Sequence, residues 1–243
     1  SSFSIQSLTR ISLYLVFESR TITFSIPAFI TALLHIEQLD EFSTKILDIG
    51  MHQSEMILPS IEQVLSYVNL TPKDLEFTAL CLGPGTFTGL RLAFAALKAF
   101  SITNNIPVYA IPSLEAYAHP YLMWRGAVVS VIDAKKERFY ASIFRNGKEN
   151  TEPMDATLDE VLKYIDLEEN VLVVGPDAEL FAEMALSAKP NLSITTFNNG
   201  FASCGFSLLE MANKKFLNKE KPLEEYEGPV YIRPSEAELS QKK

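Results

Sequence analysis

The spacing of apolar residues divides the chain into a β-rich start and a longer part in which strands and helices alternate. Between residues 11 and 36, apolar and β-branched residues predict strands at 11–17 and 21–26, with a third candidate at 30–36. After residue 52 the period changes, because apolar residues from Ile57 to Val68 recur at the spacing of one helix face. The start of the chain is therefore predicted to be a sheet, followed by an amphipathic helix.

The middle of the chain predicts a parallel α/β arrangement. The apolar run 77–82 indicates a buried strand, and it leads through the glycine-containing segment 83–91 into an alanine-rich helix from Leu90 to Ile102. A second strand at 106–111 and a short helix at 112–119 follow. Strands joined through helices over connections of this length favour a parallel sheet.

The second half repeats this theme more loosely. It predicts a hairpin formed by 127–133 and 138–144, a helix at 158–165 and a buried strand at 171–175. A second helix at 178–188 and a charged tail at 214–243 follow. Within the tail, residues 228–238 are the one stretch with an ordered pattern. We therefore expect two lobes, residues 1–120 and residues 121–243, each combining sheet and helix.

Composition excludes several classes of protein. At 47% hydrophobic residues the 243-residue chain can bury a large core, so it is not intrinsically disordered. Its net charge of −9 argues against a stand-alone nucleic-acid binder, which needs clustered cations. The apolar stretch 11–36 is interrupted by Glu18, Arg20 and Pro27, so it predicts strands and no membrane segment.

The two cysteines carry no recognisable motif. Cys81 and Cys204 have neither the CxxC spacing nor the neighbouring histidine of a zinc site, and two cysteines cannot form a disulfide framework. We interpret them as small buried apolar residues of a protein in the reducing cytoplasm.

Strand, glycine loop and helix together form the arrangement that can present backbone N–H groups to an anion. The candidate contacts are Gly83, Gly85, Thr86, Thr88, Gly89 and Arg91. The loop is neither a Walker motif nor a dinucleotide fingerprint, since it lacks the terminal Gly-Lys-Ser/Thr and the G-x-G-x-x-G spacing. Composition alone favours a tight strand-to-helix turn without a ligand.

Five segments in order carry a resemblance to a known family: 52–59, 82–91, 106–116, 132–135 and 229–233. Together they resemble TsaB, the family of bacterial tRNA threonylcarbamoyladenosine biosynthesis proteins, over residues 21 to 233 or so. The most specific of them is the block Gly83-Pro84-Gly85-Thr86-Phe87-Thr88-Gly89-Leu90-Arg91.

This resemblance implies a fold and a set of partners. The expected fold is α/β, a two-lobed actin-like ATPase or ribonuclease H-like fold with mixed sheets and helices, close to the glycoprotease-like proteins. The expected role is that of a non-catalytic scaffold that pairs with the catalytic subunit TsaD, which transfers threonylcarbamoyl to the adenosine beside the anticodon. The ATPase TsaE is the implied third partner, tRNA is expected to be contacted only through the complex, and the chain alone is expected to form a homodimer.

The resemblance also implies where the interface lies. In the family, the helix containing Ile57 to Val68 and the helix after the glycine loop pack against the same helices of a second subunit, forming a four-helix interface. The predicted contact residues are Met56, Ile57, Ser60, Ile61, Val64, Leu92, Ala95, Ala96 and Ala99. The competing interpretation is that all of these positions are internal core.

Departures from the patterns of the relatives bear on catalysis. The catalytic relative carries H-x-x-x-H on the helix where this chain has Ser113 and Tyr117, and His119 is alone, so no metal pair can form there. Residues 25–28, Ser-Ile-Pro-Ala, stand where actin-like ATPases place an acidic phosphate loop. We therefore expect no catalytic residue, no metal and no tightly bound cofactor, with the subunit interface as the one place left for a nucleotide.

An alternative function remains open at this stage. A free-standing actin-like ATPase or kinase, or a degenerate glycoprotease-like peptidase, needs an acid, and the best remaining acid is Asp133 at the turn of the second-lobe hairpin. A structural interpretation, in which Asp133 caps the bend at Ala134 and Lys135, is favoured over the catalytic one.

Overall fold

A computed structural model describes the backbone of residues 11–19, 28–36, 41–48, 53–67, 69–197, 204–224 and 226–233. Side chains are described within these ranges from residue 55 onward.

In the part of the chain that the structure describes, the first sheet has five strands. They are β1 (Ile11–Ser19), β2 (Ala28–Ile36), β3 (Glu41–Asp48), β4 (Phe77–Gly83) and β5 (Val108–Pro112), in the spatial order β3-β2-β1-β4-β5. β1 pairs antiparallel with β2 and parallel with β4. The strands predicted at 11–17, 30–36, 77–82 and 106–111 are confirmed, with small shifts at their ends. β3 was not predicted, and the candidate strand 21–26 lies outside the described residues, as do residues 25–27 of the expected phosphate loop.

The second sheet repeats the order of the first. Its strands are β6 (Ala127–Lys135), β7 (Arg138–Arg145), β8 (Lys148–Glu149), β9 (Met154–Thr157), β10 (Asn170–Val174) and β11 (Ser193–Thr196), in the order β11-β10-β6-β7-β8, with β9 also paired to β7. Like β1, β6 has an antiparallel partner on one side and a parallel partner on the other. The predicted hairpin and the predicted strand at 171–175 are confirmed.

Six α-helices accompany the sheets in the described part of the chain. They are α1 (Gln53–Tyr67), α2 (Phe87–Asn104), α3 (Ser113–Ala118), α4 (Leu158–Leu162), α5 (Ala178–Ala188) and α6 (Gly205–Leu217), with short 3-10 turns at Pro72–Asp74 and His119–Tyr121. α2 starts at Phe87, three residues before the predicted start at Leu90. The glycine loop is therefore shorter than predicted, because Gly89 lies within the helix.

The assignment of residues 214–243 to a charged tail is wrong for its first residues. Residues 214–217 form the last turn of α6, a helix that was not predicted. Its buried residues Leu208, Leu209 and Ala212 have the spacing of one helix face, a signal that was present in the sequence. Lys214 and Lys215 extend from its last turn, where a cation interacts favourably with the helix dipole.

The helices and sheets form five layers. α1 and α2 pack on the outer face of the first sheet, and α4 and α5 pack on the outer face of the second. α3 and α6 lie between the sheets within one apolar cluster that includes Phe77 of β4 and Leu172 of β10. All described strands up to Pro112 belong to the first sheet and all from Ala127 onward belong to the second, but α6, which follows the second sheet in the chain, packs on the first sheet. In the described ranges, no helix is both long and apolar enough to cross a bilayer.

Candidate functional site

The glycine loop between β4 and α2 is covered by the end of the chain. Residues 218–224 and 226–233, here called the strap, run from α6 back over this loop. The backbone N–H of Val230 donates to the carbonyl of Leu82 at 3.0 Å. Gly83 has a φ of +111°, and a Cβ on it would lie 2.6 Å from the Val230 carbonyl oxygen. Glycine is therefore required at this position for two reasons, the backbone conformation and the close approach of the strap.

The start of α2 and the strap together build an aromatic and cationic cluster. The rings of Phe87 and Tyr231 lie 5.0 Å apart between centroids. The Arg91 guanidinium lies 3.8 Å from the centroid of the Phe87 ring, and its Nε donates to the Tyr231 hydroxyl at 3.1 Å. Of the predicted loop residues, Thr86 and Thr88 are exposed, whereas Gly83 and Gly89 are buried.

Further hydrogen bonds hold the strap across the first sheet. The backbone N–H of Leu223 donates to the Val108 carbonyl of β5 at 2.7 Å. The Lys98 ammonium of α2 donates to the carbonyl oxygens of Glu224 and Glu227. The strap is thus held to the edge strand of the first sheet and to α2.

Arg233 anchors the far end of the strap to the second sheet. Its Nε and Nη2 donate to the two carboxylate oxygens of Asp155, each at 2.7 Å, and its Nη1 donates to the Ala134 carbonyl at 2.9 Å. Arg138 donates to the same carboxylate. Burial alone would raise the pKa of Asp155, but the hydrogen bonds from Arg233 and Arg138 outweigh it and hold the pKa below its usual value.

Four residues of α1 that were predicted as contacts with a second subunit are buried inside this chain. Ile57, Ser60, Ile61 and Val64 are at most 1% exposed, and the three apolar ones belong to the core between α1, α2 and the first sheet. The stripe that marked the helix in the sequence is therefore the face that packs on the chain's own sheet. For these four residues the competing interpretation, internal core, applies, while Met56 is half-buried beside them.

The predicted residues on α2 lie at or near the surface. Ala95 and Ala99 are exposed, and Leu92 and Ala96 are half-buried. Ile102, one turn further along, is 66% exposed. On the neighbouring α1, the exposed apolar residues are Leu58, at 52%, and Tyr67.

The residues considered for metal and acid chemistry make contacts within the fold. Ser113 and Tyr117 are buried in α3 between the sheets, and His119 Nδ1 lies 3.7 Å from a carboxylate oxygen of Glu210. Among the residues that the structure describes, no three His, Cys, Asp or Glu side chains converge as metal ligands. Asp133 accepts hydrogen bonds from the backbone N–H and the ammonium of Lys135, both at 2.7 Å, which is the bend-capping role.

A comparison with families of known proteins identifies the chain. Residues 49–221 match the family described as TsaD, tRNA N6-adenosine threonylcarbamoyltransferase. The chain belongs to this family.

Individual relatives confirm the resemblance to TsaB. The chain is 29% identical to the tRNA threonylcarbamoyladenosine biosynthesis protein TsaB of Bacillus subtilis over 199 residues, which are 77% of this chain and 82% of that protein. It is 38% identical to the TsaB of Buchnera aphidicola subsp. Schizaphis graminum over 69 residues, 28% of this chain and 32% of that protein.

Solved structures confirm the fold. A Pseudomonas aeruginosa protein described as uncharacterized, with similarity to the peptidase YEAZ, superposes with a TM-score of 0.69 at 17% identity, covering 91% of this chain and 100% of that one. YeaZ from the same species superposes with a TM-score of 0.67 at 17% identity, covering 92% and 99% of the two chains. The predicted α/β fold with mixed sheets and helices is therefore confirmed.

Proposed function

We propose that this chain is a non-catalytic scaffold subunit in the formation of threonylcarbamoyladenosine in tRNA, and that it acts by pairing with a TsaD-type catalytic subunit. The Bacillus and Buchnera relatives are both named as proteins of this biosynthesis. The match to the Bacillus protein extends over most of both chains, so it includes both lobes. In this proposal residues 1–120 form the docking lobe and residues 121–243 the second lobe.

The observation that carries the proposal is the exposed face of α2. Arg91, Ala95, Ala99 and Thr103 follow one another at four-residue intervals and are all exposed, with Ile102 beside them. The 18-residue helix contains no acidic residue, and its basic residues are Arg91 and Lys98. A helix face that stays in water usually carries many charges, whereas small and apolar residues allow a second helix to approach closely.

α1 extends this face. The buried residues of α1 pack on the sheet, so its contribution to docking comes from the half-buried Met56 and the exposed Tyr67, which are eleven positions apart and therefore lie on the same side of the helix. The revised docking face therefore consists of Met56 and Tyr67 on α1 with Leu92, Ala95, Ala96, Ala99 and Ile102 on α2. Without a catalytic partner, the same face pairs two copies of this chain.

The scaffold role agrees with the charge and with the interior of the molecule. A net charge of −9 suits a subunit that leaves the tRNA phosphates to a more basic partner. The region between the sheets is filled by the apolar side chains of α3 and α6, and α3 has Ser113 and Tyr117 where the catalytic relative has its two histidines. A TsaE-type ATPase is the third component of the proposed assembly.

The proposal is tested by placing a charge on the exposed face of α2. Ala95→Glu adds a carboxylate that an apolar helix interface must desolvate, so binding to the TsaD-type subunit of the same organism should fall at least tenfold. The thermal unfolding temperature should stay unchanged when both proteins are compared at a concentration low enough to keep them monomeric, because Ala95 is exposed. The matched control is Ala188→Glu, the same substitution at an exposed alanine on α5 beside the second sheet.

Binding is measured by calorimetry and by co-purification, and function by threonylcarbamoyl transfer to tRNA with the other components present. We expect wild type and Ala188→Glu to bind and to support transfer, Ala95→Glu to fail in both, and the isolated wild-type chain to be inactive. If Ala95→Glu binds and supports transfer as wild type does, the proposed docking face is wrong. If the wild-type chain neither binds nor supports transfer, the scaffold function is wrong.

A further inference from the structure

The fold brings the two cysteines into contact. Cys81 is near the end of β4, and Cys204 precedes the first residue of α6. They are 123 positions apart in the sequence, yet their Sγ atoms lie 3.8 Å apart. This is the separation of two sulfur atoms in van der Waals contact, and a disulfide requires them to approach to about 2.0 Å.

We propose that Cys81 and Cys204 form a reversible dithiol–disulfide pair that ties β4 to the start of α6. β4 leads directly into the glycine loop, and α6 leads directly into the strap that covers that loop. The bond would therefore link covalently the strand that leads into the glycine loop and the helix that precedes the strap. Both cysteines belong to the apolar cluster between the sheets, on the face of β4 opposite α1 and α2. The pair is thus independent of the proposed docking face.

Burial determines how the pair reacts. Cys81 is 6% exposed and Cys204 is 2% exposed, so a reagent reaches neither sulfur without some opening of the structure. Cys204 stands at a helix end, where local opening requires less free energy than in the middle of a strand. We therefore expect Cys204 to react first and Cys81, its neighbour in the folded chain, to complete the bond.

The oxidant is a low-molecular-weight disulfide or an equivalent two-electron acceptor. In the first step the Cys204 thiolate attacks one sulfur of the oxidant disulfide, forming a mixed disulfide and releasing one small thiol. In the second step the Cys81 thiolate attacks the Cys204 sulfur of that mixed disulfide, forming the protein bond and releasing the second small thiol. Two protein thiols are oxidised and one small disulfide is reduced to two thiols, so atoms and electrons balance.

The test uses the full chain in its folded state with diamide, which accepts two electrons and two protons to become a hydrazine. We expect the intact mass to fall by two hydrogen atoms and the chain to remain monomeric on a non-reducing gel. The number of thiols titrated after unfolding should fall from two to none, since the chain has two cysteines. Dithiothreitol should reverse all three changes.

Stability provides the second measurement. The oxidised chain should unfold at a higher temperature than the reduced chain, because the bond closes a loop of more than a hundred residues in the unfolded state. Cys81→Ala and Cys204→Ala are the controls, and neither should gain stability with diamide. The proposal is overturned if the folded wild-type chain keeps both thiols while a small dithiol in the same tube is oxidised, if covalent dimers form, or if the oxidised monomer is less stable than the reduced one.

Discussion

Replacing Arg233 with methionine removes the anchor of the strap while keeping an unbranched side chain. Three charged hydrogen bonds are lost, two to the carboxylate of Asp155 and one to the carbonyl of Ala134. Asp155 keeps its hydrogen bond from Arg138, so the carboxylate is not left without a cation. The variant therefore tests the attachment of the strap and leaves the second sheet intact.

The size of the effect follows from the partial burial of this anchor. Hydrogen bonds to charged groups contribute about 1.5–3 kcal/mol each when well shielded. The Arg233 and Asp155 side chains are 21% and 16% exposed, so solvent screening reduces the sum. We expect the free energy of opening the strap to fall by about 2 kcal/mol, which corresponds to an increase of about 30-fold in the population of the open state.

Amide hydrogen exchange measures this population directly. The amides of Val230 and Leu223 donate to the first sheet, and we expect the exchange of Val230 to rise about 30-fold and that of Leu223 to rise less, since it is farther from the anchor. The control is Lys221→Met, which removes an exposed ion pair with Glu224 in the same strap and should leave the exchange of Val230 unchanged. Equal exchange of Val230 in wild type and Arg233→Met would refute the assignment of Arg233 as the anchor.

Two further predictions concern the core and the region between the sheets. Ile61→Ala should lower the free energy of unfolding by about 2–5 kcal/mol, because it leaves a cavity under α1. At a temperature where the variant is folded, its affinity for the TsaD-type subunit, measured by calorimetry, should equal that of wild type. Weaker binding at unchanged stability would show that Ile61 belongs to the interface. Burial, reinforced by repulsion from Glu149, raises the pKa of the Glu115 carboxyl above its ordinary value of 4.5. As the pH rises above 4.5, ionisation is therefore less favourable in the folded than in the unfolded chain, and the free energy of unfolding falls. Glu115→Gln should therefore raise the melting temperature at pH 7 and have little effect at pH 4, and a lower melting temperature at pH 7 would contradict this reasoning.

The strap makes contacts with both sheets of the molecule. It passes from α6 over β5, seals the glycine loop and ends on the second sheet. Tyr231 within it also meets Phe87 and Arg91 at the start of α2, at one end of the proposed docking face. The position of the strap therefore influences the shape of one end of the proposed docking face.

The predicted docking residues show the limit of reasoning from a stripe. The apolar spacing of Ile57, Ile61 and Val64 correctly identifies one helix face, but a buried face can be covered by the chain's own sheet or by another subunit. In the structure, this face of α1 is covered by the chain's own first sheet and by α2. On α2 the sequence analysis predicted contacts at Ala95, Ala96 and Ala99, and the tertiary structure shows that Ala95 and Ala99 are exposed and Ala96 is half-buried.

Several functional features were missed because their signals are weak or non-local. The apolar spacing of α6 is a weak signal because the last turn of the helix is part of the charged segment that begins at Lys214. The block Pro229–Arg233 was noticed in the sequence, but nothing local indicates that Val230 lies against Gly83 or that Arg233 bonds to Asp155. These contacts join residues far apart in the chain, and their partners are defined only once both sheets have formed.

The sequence by itself determined the kinds of elements and the family of the fold. Periodicity and turn residues act between neighbours in the chain, and they were enough to predict the strand at 77–82, the hairpin around residues 127–144 and helix α5. The tertiary structure alone decided which helix face is covered, where the strap runs and that Cys81 meets Cys204. The physical reason is that burial and contact depend on how whole layers pack, whereas a local pattern records only that a face is apolar.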